Sequence, residues 1–135
     1  PWQHVLEPLN GYLKLAIELS QKTDLHGEAF NFGPPSHQNY TVLKLVETMS
    51  NYWDQVRWNN LSKEEQQPYE SSLLRLNCDK ALQYLNWQSV LSFNETVRMT
   101  TEWYRSYYEN PTTIREKTFS QIKEFEILAQ NKKNP

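Results

Sequence analysis

At 135 residues the chain is long enough for one domain with a modest hydrophobic core. Its formal net charge of −2 gives no sign of nucleic-acid or anionic-membrane binding, and no apolar run approaches the roughly 20 residues of a membrane span. The single cysteine, Cys78, excludes an internal disulfide framework and favours a reducing compartment, so we expect a cytoplasmic protein.

The first part of the chain predicts two helices separated by a short strand. Apolar residues at helical spacing predict a helix over residues 6–22. Residues 29–32 alternate as a strand does, and the Gly-Pro-Pro sequence that follows ends this strand abruptly. Thr41 is a suitable N-cap for a second helix, because apolar residues mark one helical face over residues 42–53.

The middle of the chain is less regular. In order, the sequence predicts a short strand at residues 56–58, a polar loop at 59–68 and another strand at 73–76. A short helix follows through residues 80–85, and either Asn77 or Asp79 can cap it. We expect Asn86 to end this helix in a left-handed conformation.

The C-terminal part predicts two further helices. A Ser-x-x-Glu capping box that begins at Ser92 opens a helix over residues 93–109. A last helix begins at Thr112 or Thr113 and runs to about residue 130, beyond which we expect a frayed end. The chain is therefore predicted to be mostly helical, with two or three strands too short to form an independent sheet.

Polar residues stand at many of the predicted element ends. They are Gln3, His4, Asn31, Arg57, Tyr69, Glu70 and Arg75. Arginines suit phosphate, a carboxylate suits vicinal hydroxyls and aromatic rings suit a base or sugar face, so together they indicate a cleft for a polar, hydroxyl-bearing ligand. The three histidines have no cysteine or carboxylate at ligand spacing, and we expect no metal site. None of the three glycines belongs to a phosphate-binding loop.

Four blocks of sequence carry a family resemblance. They are residues 1–9 (PWQHVLEPL), 27–34 (GEAFNFGP), 73–81 (LLRLNCDKA) with 85–87 (LNW), and 101–104 (TEWY). In this order they resemble the C-terminal part of the CDP-glucose 4,6-dehydratases, which belong to the extended short-chain dehydrogenase/reductase superfamily. The first block is the most specific, whereas the others are shared by many nucleotide-sugar dehydratases and epimerases.

The resemblance implies an α/β parent fold in which residues 1–135 are the mostly helical C-terminal substrate-binding lobe, lacking the Rossmann domain. That N-terminal domain would bind NAD and carry the catalytic Tyr-x-x-x-Lys pair, so we expect no catalytic residue in this chain. The parent would be a homo-oligomeric lyase of deoxysugar and O-antigen synthesis with CDP-glucose as its substrate. Its reaction oxidises C4 of the sugar, removes water across C5 and C6, and returns the hydride to C6.

The resemblance also assigns substrate-binding residues by their position in the motifs. They are Gln3, His4, Asn31, Gly33, Tyr69, Glu70 and Arg75. Glu70 takes the place of the acidic residue that holds the nucleotide ribose. Gln3 and His4 follow a phosphate-contacting arginine expected before the first residue, and Asn31 and Gly33 would line the lip between the lobes.

Two other hypotheses stay open. Tyr69 stands where the family more often has histidine, so the chain could be the same lobe of another nucleotide-sugar dehydratase or epimerase. A hypothesis from a different class is a free-standing helical interaction module, which the aromatic content of 13% and the missing cofactor motif favour. Titration with nucleotides discriminates between these hypotheses, because the interaction module would not respond.

Overall fold

The computed structural model describes residues 2–59 and 75–133 of the chain, and within these ranges the protein is mostly helical. Its elements are α1 (Leu6–Gln21), α2 (Val42–Ser50), α3 (Asp79–Leu85), α4 (Phe93–Glu109), a single 3-10 turn (Pro111–Thr113) and α5 (Ile114–Lys133). All five predicted helices are confirmed. The second ends earlier than predicted, and the last extends to residue 133, where we expected a frayed end. No helix in the described ranges combines the length and apolar character needed to cross a membrane.

The helix boundaries follow from local capping. The Thr41 hydroxyl accepts a hydrogen bond from the Lys44 N–H at 3.1 Å, as a Thr N-cap does. At the start of α4, Ser92 and Glu95 form a complete capping box, in which the Ser92 N–H donates to the Glu95 carboxylate at 2.7 Å. Asn86 ends α3 in the left-handed conformation, with φ 47° and ψ 41°, as predicted.

The start of α3 differs in detail from the prediction. Its N-cap is Cys78, whose side chain makes no capping hydrogen bond. The Asn77 side chain instead accepts a hydrogen bond from the Asp79 N–H at 2.9 Å, one residue into the helix. Asn77 therefore still satisfies one of the free N–H groups of the first turn, from the position before the cap.

The predicted strands are not found in the described part of the chain. Residues 29–32 and 56–58 have no regular secondary structure, and the same holds for residues 75 and 76 at the end of the third predicted strand. Residues 73 and 74 lie outside the described ranges, as do residues 60–68 of the predicted loop. The two or three short strands of the sequence prediction are therefore not confirmed.

The physical reason is that a strand exists only where its backbone pairs with a neighbour. The segment containing Asn31 does lie beside the segment containing Asn77, but a side chain joins them: the Asn31 amide donates to the Asn77 carbonyl at 3.2 Å. Cys78 Sγ also lies 3.9 Å from the carbonyl oxygen of Gly33. The alternating apolar pattern of residues 29–32 therefore reflects how their side chains are oriented. It does not reflect pairing of their backbone with a neighbouring strand.

Among the described residues, the hydrophobic core contains two buried clusters. The first contains Leu25, Phe32, Ala81, Leu85 and Trp87, and the second contains Val90, Leu91, Met99 and Phe125. The Phe32 ring meets Trp87 edge-on, with ring centroids 4.9 Å apart. The same ring lies so close to Gly11 of α1 that a Cβ atom there would come within 2.4 Å of it. Gly11 therefore allows α1 to approach the Phe32 segment closely.

A buried carboxylate connects α1 to the chain that leads into α4. Glu7 is only 1% exposed, and its carboxylate accepts hydrogen bonds from the Val90 N–H at 2.9 Å and the Leu91 N–H at 2.7 Å. Burial raises the pKa of Glu7, against the lowering effect of these two hydrogen bonds and of Lys132. Glu7 thus fixes the position of α1 relative to the second core cluster.

Charged and polar side chains fasten α5 to α4. Glu102 of α4 lies between Arg98 of the same helix, at 3.3 Å, and Lys117 of α5, at 2.8 Å. Arg98 also pairs with Glu124 of α5. Between them, the buried Gln121 amide donates to the Met99 carbonyl at 2.6 Å. These contacts place α5 along one side of α4, where its residues Thr118, Gln121 and Ile122 line one of the two clefts described below.

Candidate functional site

The predicted site residue Gln3 makes a hydrogen bond to the core through the nitrogen of its side-chain amide. Its Nε2 donates a hydrogen bond to the Phe32 carbonyl at 3.1 Å, which joins the N-terminal segment to the segment of Asn31 and Gly33. Its Oε1 is buried and has no hydrogen-bond partner among the described residues. A buried acceptor without a partner is unfavourable, so this oxygen is suited to accept a hydrogen bond from a ligand.

His4 is buried and neutral. Its Nδ1 accepts a hydrogen bond from the Leu6 N–H at 3.3 Å, so the proton of the neutral ring is on Nε2. Burial lowers the pKa of His4, and the charge of Glu124 opposes this shift only in part. Near neutral pH this imidazole is therefore an uncharged hydrogen-bond donor.

Gln3 and His4 line a cleft of about 440 Å³ between the N-terminal segment, α4 and α5, here called the N-terminal cleft. Trp103, Tyr104 and Thr118 are among its other lining residues. The Trp103 indole donates to the Thr118 hydroxyl at 2.9 Å, which fixes the ring. The cleft thus combines a few polar groups with aromatic rings, the usual lining of a small-molecule site.

Two more of the predicted site residues, Gly33 and Arg75, line a second cleft of about 470 Å³, here called the Gly33 cleft. His37, Cys78 and the buried Trp87 also line it. A Cβ atom at Gly33 would come within 3.2 Å of the Leu76 side chain, so a larger residue would push on this wall. Burial raises the pKa of the Cys78 thiol, which therefore stays protonated. Cys78 is half-buried, and its protonated thiol is a poor nucleophile.

The predicted residues therefore fall into two neighbouring clefts and not one. Asn31 belongs with the Gly33 cleft through its hydrogen bond to Asn77, and Gln3 links the two clefts through the Phe32 carbonyl. Arg57 lies in neither lining, and its guanidinium donates to the carbonyls of Asp54 and Val56. Tyr69 and Glu70 lie outside the described residues.

Sequence reasoning overlooked several residues of these clefts. Trp103 and Tyr104 were not among the predicted site residues, yet both line the N-terminal cleft. Trp87 lines the Gly33 cleft; it is buried, and its Nε1 has no hydrogen-bond partner among the described residues. The available signal was the TEWY block, which places two aromatic residues side by side on α4.

One Tyr-x-x-x-Lys spacing occurs in the chain, although the resemblance implies that the catalytic pair lies in the N-terminal domain. It is formed by Tyr40 and Lys44. Tyr40 precedes the N-cap of α2, and its ring stacks on Phe93 with centroids 3.9 Å apart. Neither Tyr40 nor Lys44 lines one of the two clefts. The spacing is therefore explained by packing and by the start of α2.

Within the described ranges, no group of three or more His, Cys, Asp or Glu residues is arranged to hold a metal ion. The polar groups that line the two clefts are neutral donors and acceptors, together with the guanidinium of Arg75 and the carboxylate of Asp79. Such a set binds and orients a ligand through hydrogen bonds and charge.

Comparison with known proteins supports the motif analysis. No protein-family model matches the chain. Over 108 residues it is 36% identical to the CDP-glucose 4,6-dehydratase of Salmonella typhimurium, an alignment that covers 79% of this chain and 30% of that relative. The chain thus spans less than a third of the length of the relative that it matches. As the four sequence blocks predict, this chain is related to the C-terminal part of CDP-glucose 4,6-dehydratase.

Proposed function

We propose that residues 1–135 are the C-terminal substrate-binding lobe of an NAD-dependent CDP-glucose 4,6-dehydratase. The observation that carries the proposal is the 36% identity over 79% of the chain, together with the order of the four motif blocks. The parent enzyme would have an α/β fold with an N-terminal Rossmann domain, act in the cytoplasm and assemble as a homo-oligomer. It would oxidise C4 of the glucose, eliminate water across C5 and C6, and return the hydride to C6.

The two clefts support a role in substrate binding. The His4 Nε2–H and the unpartnered Gln3 Oε1 offer one donor and one acceptor, which is what a sugar hydroxyl needs. Trp103 and Tyr104 supply aromatic surface beside them. In the Gly33 cleft, the Arg75 guanidinium suits a phosphate group, while the Asp79 carboxylate in the same lining accepts a hydrogen bond from the Asn77 amide at 3.1 Å. The proposal therefore assigns hydroxyl recognition to one cleft and phosphate recognition to the other.

The residues of this chain do not fit NAD. A dinucleotide is usually held by a glycine-rich turn at the start of a helix, and this chain has only three glycines. Gly11 lies within α1 against Phe32, Gly27 occupies a positive-φ turn, and Gly33 lies against Leu76. On this proposal NAD is held by the Rossmann domain of the parent enzyme.

To test this, the polypeptide translated from the complete gene is titrated with CDP, UDP, GDP and dTDP, and binding is measured by calorimetry. We expect CDP to bind more tightly than the other three nucleotides. A preference for a different base would contradict CDP-glucose and favour another nucleotide-sugar dehydratase or epimerase. If none of the four nucleotides bound, the proposed function would be excluded in favour of an interaction module.

A further inference from the structure

Gln121 of α5 is a buried residue of the N-terminal cleft to which the proposed function gives no role. It is only 4% exposed and lines the cleft together with Gln3 and His4. Its Nε2 donates a hydrogen bond to the Met99 carbonyl at 2.6 Å, which fixes the orientation of the side-chain amide. A glutamine amide has two donors and an acceptor, and this hydrogen bond uses only a donor.

The unused acceptor is the amide oxygen of Gln121, Oε1. It accepts no hydrogen bond from the described residues. It is also not one of the fully enclosed polar atoms without a partner in that part of the chain, so some of its surface stays accessible. Because Gln121 lines the cleft, Oε1 is the atom of this side chain with which a bound ligand can form a hydrogen bond.

Within the described ranges, the lining of the N-terminal cleft contains no Lys, Arg, Asp or Glu. His4 is neutral near pH 7, because burial lowers its pKa, and the negative charge of Glu124 acts on the same imidazole. An anionic group would lose its hydration in this cleft without gaining a cation. The Gly33 cleft differs, since Arg75 and Asp79 belong to its lining. The N-terminal cleft is therefore suited to an uncharged part of a ligand.

The polar atoms of the cleft determine what this uncharged group must offer. Gln3 Oε1 and Gln121 Oε1 are acceptors without a partner among the described residues, and His4 Nε2 carries a proton that it can donate. A ligand satisfies two acceptors only if it brings two donors, as a ring with several hydroxyl groups does. The rings of Trp103 and Tyr104 add apolar surface for the C–H groups of such a ring.

We propose that Gln121 is a specificity-determining residue, whose Oε1 accepts a hydrogen bond from a hydroxyl group of the hexose in the N-terminal cleft. This rests on the proposed function, because the nucleotide sugar is what brings a hexose to the chain. Helix α5 is then part of the ligand site in addition to packing on α4. The cleft discriminates against a hexose with a carboxylate, since Gln3 and Gln121 present oxygen atoms and the described lining holds no cation.

Two substitutions at Gln121 separate this role from its contact with Met99. Gln121→Met and Gln121→Glu both remove the amide N–H that the Met99 carbonyl accepts, but only glutamate keeps an oxygen acceptor. Gln130→Met, at an exposed glutamine of the same helix, is the matched control. Calorimetry measures the binding of CDP-glucose and of CDP to each variant of the polypeptide translated from the complete gene. We expect Gln121→Met to weaken the binding of CDP-glucose about tenfold and that of CDP less than about twofold, with the other two variants close to the native protein.

The native polypeptide supplies a second measurement that requires no variant to fold. It should bind CDP-glucose at least about tenfold more tightly than the analogue in which C6 of the hexose is a carboxylate. Three results would overturn the proposal: equal losses of affinity for CDP-glucose and CDP in Gln121→Met, no loss in that variant, or equal binding of the two CDP-sugars by the native polypeptide.

Failure of the proposed function gives a different result, because the native polypeptide would then bind none of these nucleotides. Methyl α-D-glucopyranoside is then the probe, and its binding is followed by saturation-transfer NMR. A signal that is lost in Gln121→Met but kept in Gln121→Glu would support the role of Gln121 without the proposed function. Any other result with this glucoside would overturn that role as well.

Discussion

Glu7 is a buried residue that joins α1 to the segment leading into α4. Its carboxylate is the acceptor for two buried backbone N–H groups, those of Val90 and Leu91. Because the chain between Trp87 and α4 passes through these two residues, Glu7 fixes one edge of the second core cluster relative to α1. In the sequence it looks like an ordinary acidic residue in the first turn of a helix.

We expect Glu7→Ala to destabilise the chain strongly. Two buried N–H groups would lose their acceptor, at about 1–3 kcal/mol for each group. The measurement is the free energy of unfolding in urea. Glu28→Ala is the matched control, since Glu28 is an exposed carboxylate in a surface pair with Lys80, and its removal should change stability little. Equal losses for the two variants would contradict the structural role of Glu7.

His4 should make stability depend on pH. Burial lowers its pKa below the usual value of 6.5, so the unfolded chain takes up a proton at a pH where the folded chain does not. Stability attributable to His4 is therefore lost as the pH falls below 6.5 toward the lowered pKa. The raised pKa of Glu7 acts in the opposite direction, because protonation of Glu7 favours the folded state as the pH falls toward 4.5.

A His4→Gln variant isolates the first of these two effects. We expect the free energy of unfolding of this variant to fall less steeply than that of the native chain between pH 6.5 and pH 5. Subtracting the two pH profiles removes the contribution of Glu7, which both proteins share. Parallel profiles would mean that His4 is not protected from protonation in the folded state.

We propose that Glu70 holds the ribose of the nucleotide. This proposal predicts how a change at Glu70 affects binding in the parent enzyme. Glu70→Ala should raise KM for the nucleotide sugar roughly ten- to hundredfold, as expected for losing a hydrogen bond to a charged group worth about 1.5–3 kcal/mol. We expect kcat to change little, because the ribose is remote from the reacting carbons. Steady-state kinetics of the complete gene product, with Glu28→Ala as control, measure both. An unchanged KM would remove Glu70 from the site.

At the scale of the elements, local signals predicted the helices well and the strands poorly. Three signals act over four residues or fewer, so the sequence alone contains them. They are the N-cap Thr41, the Ser92 capping box and the left-handed Asn86 that ends α3. A strand at residues 29–32 depends on a partner strand, which those residues cannot reveal. Nor does periodicity show which apolar face of a helix is buried: Leu9 and Leu13 belong to the pattern that predicted α1, yet both are exposed.

The end of α3 allows a direct test of backbone conformation. Asn86 has a φ of 47°, where a side chain with Cβ is disfavoured and glycine is not. We expect Asn86→Gly to keep or raise stability and Asn86→Ala to lower it by about 1–2 kcal/mol. At Asn94, an exposed residue within α4, the order should reverse, because alanine is the better helix former there. Thermal unfolding of the four variants measures this; the same order at both positions would contradict the left-handed cap.

At the scale of the whole molecule, the sequence does not reveal how the candidate site is assembled. Gln3 and His4 line a cleft, and their role in substrate binding stays a prediction; Trp103 and Tyr104 of α4 join them from about 100 positions away in the chain. That approach depends on how α4 and α5 pack, which hydrophobic periodicity does not encode. The division into two clefts was unpredictable for the same reason, because it follows from where the Phe32 segment lies between them.

If this chain is the substrate-binding lobe of a CDP-glucose 4,6-dehydratase, as we propose, the complete enzyme should dehydrate CDP-glucose. The polypeptide translated from the complete gene is incubated with CDP-glucose and NAD, and the sugar product is analysed by mass spectrometry while NADH is followed by absorbance. We expect a product that has lost one molecule of water, with no net accumulation of NADH, since the hydride returns to C6. Recovery of CDP-glucose unchanged, or of an isomer of the same mass, would contradict the proposed function.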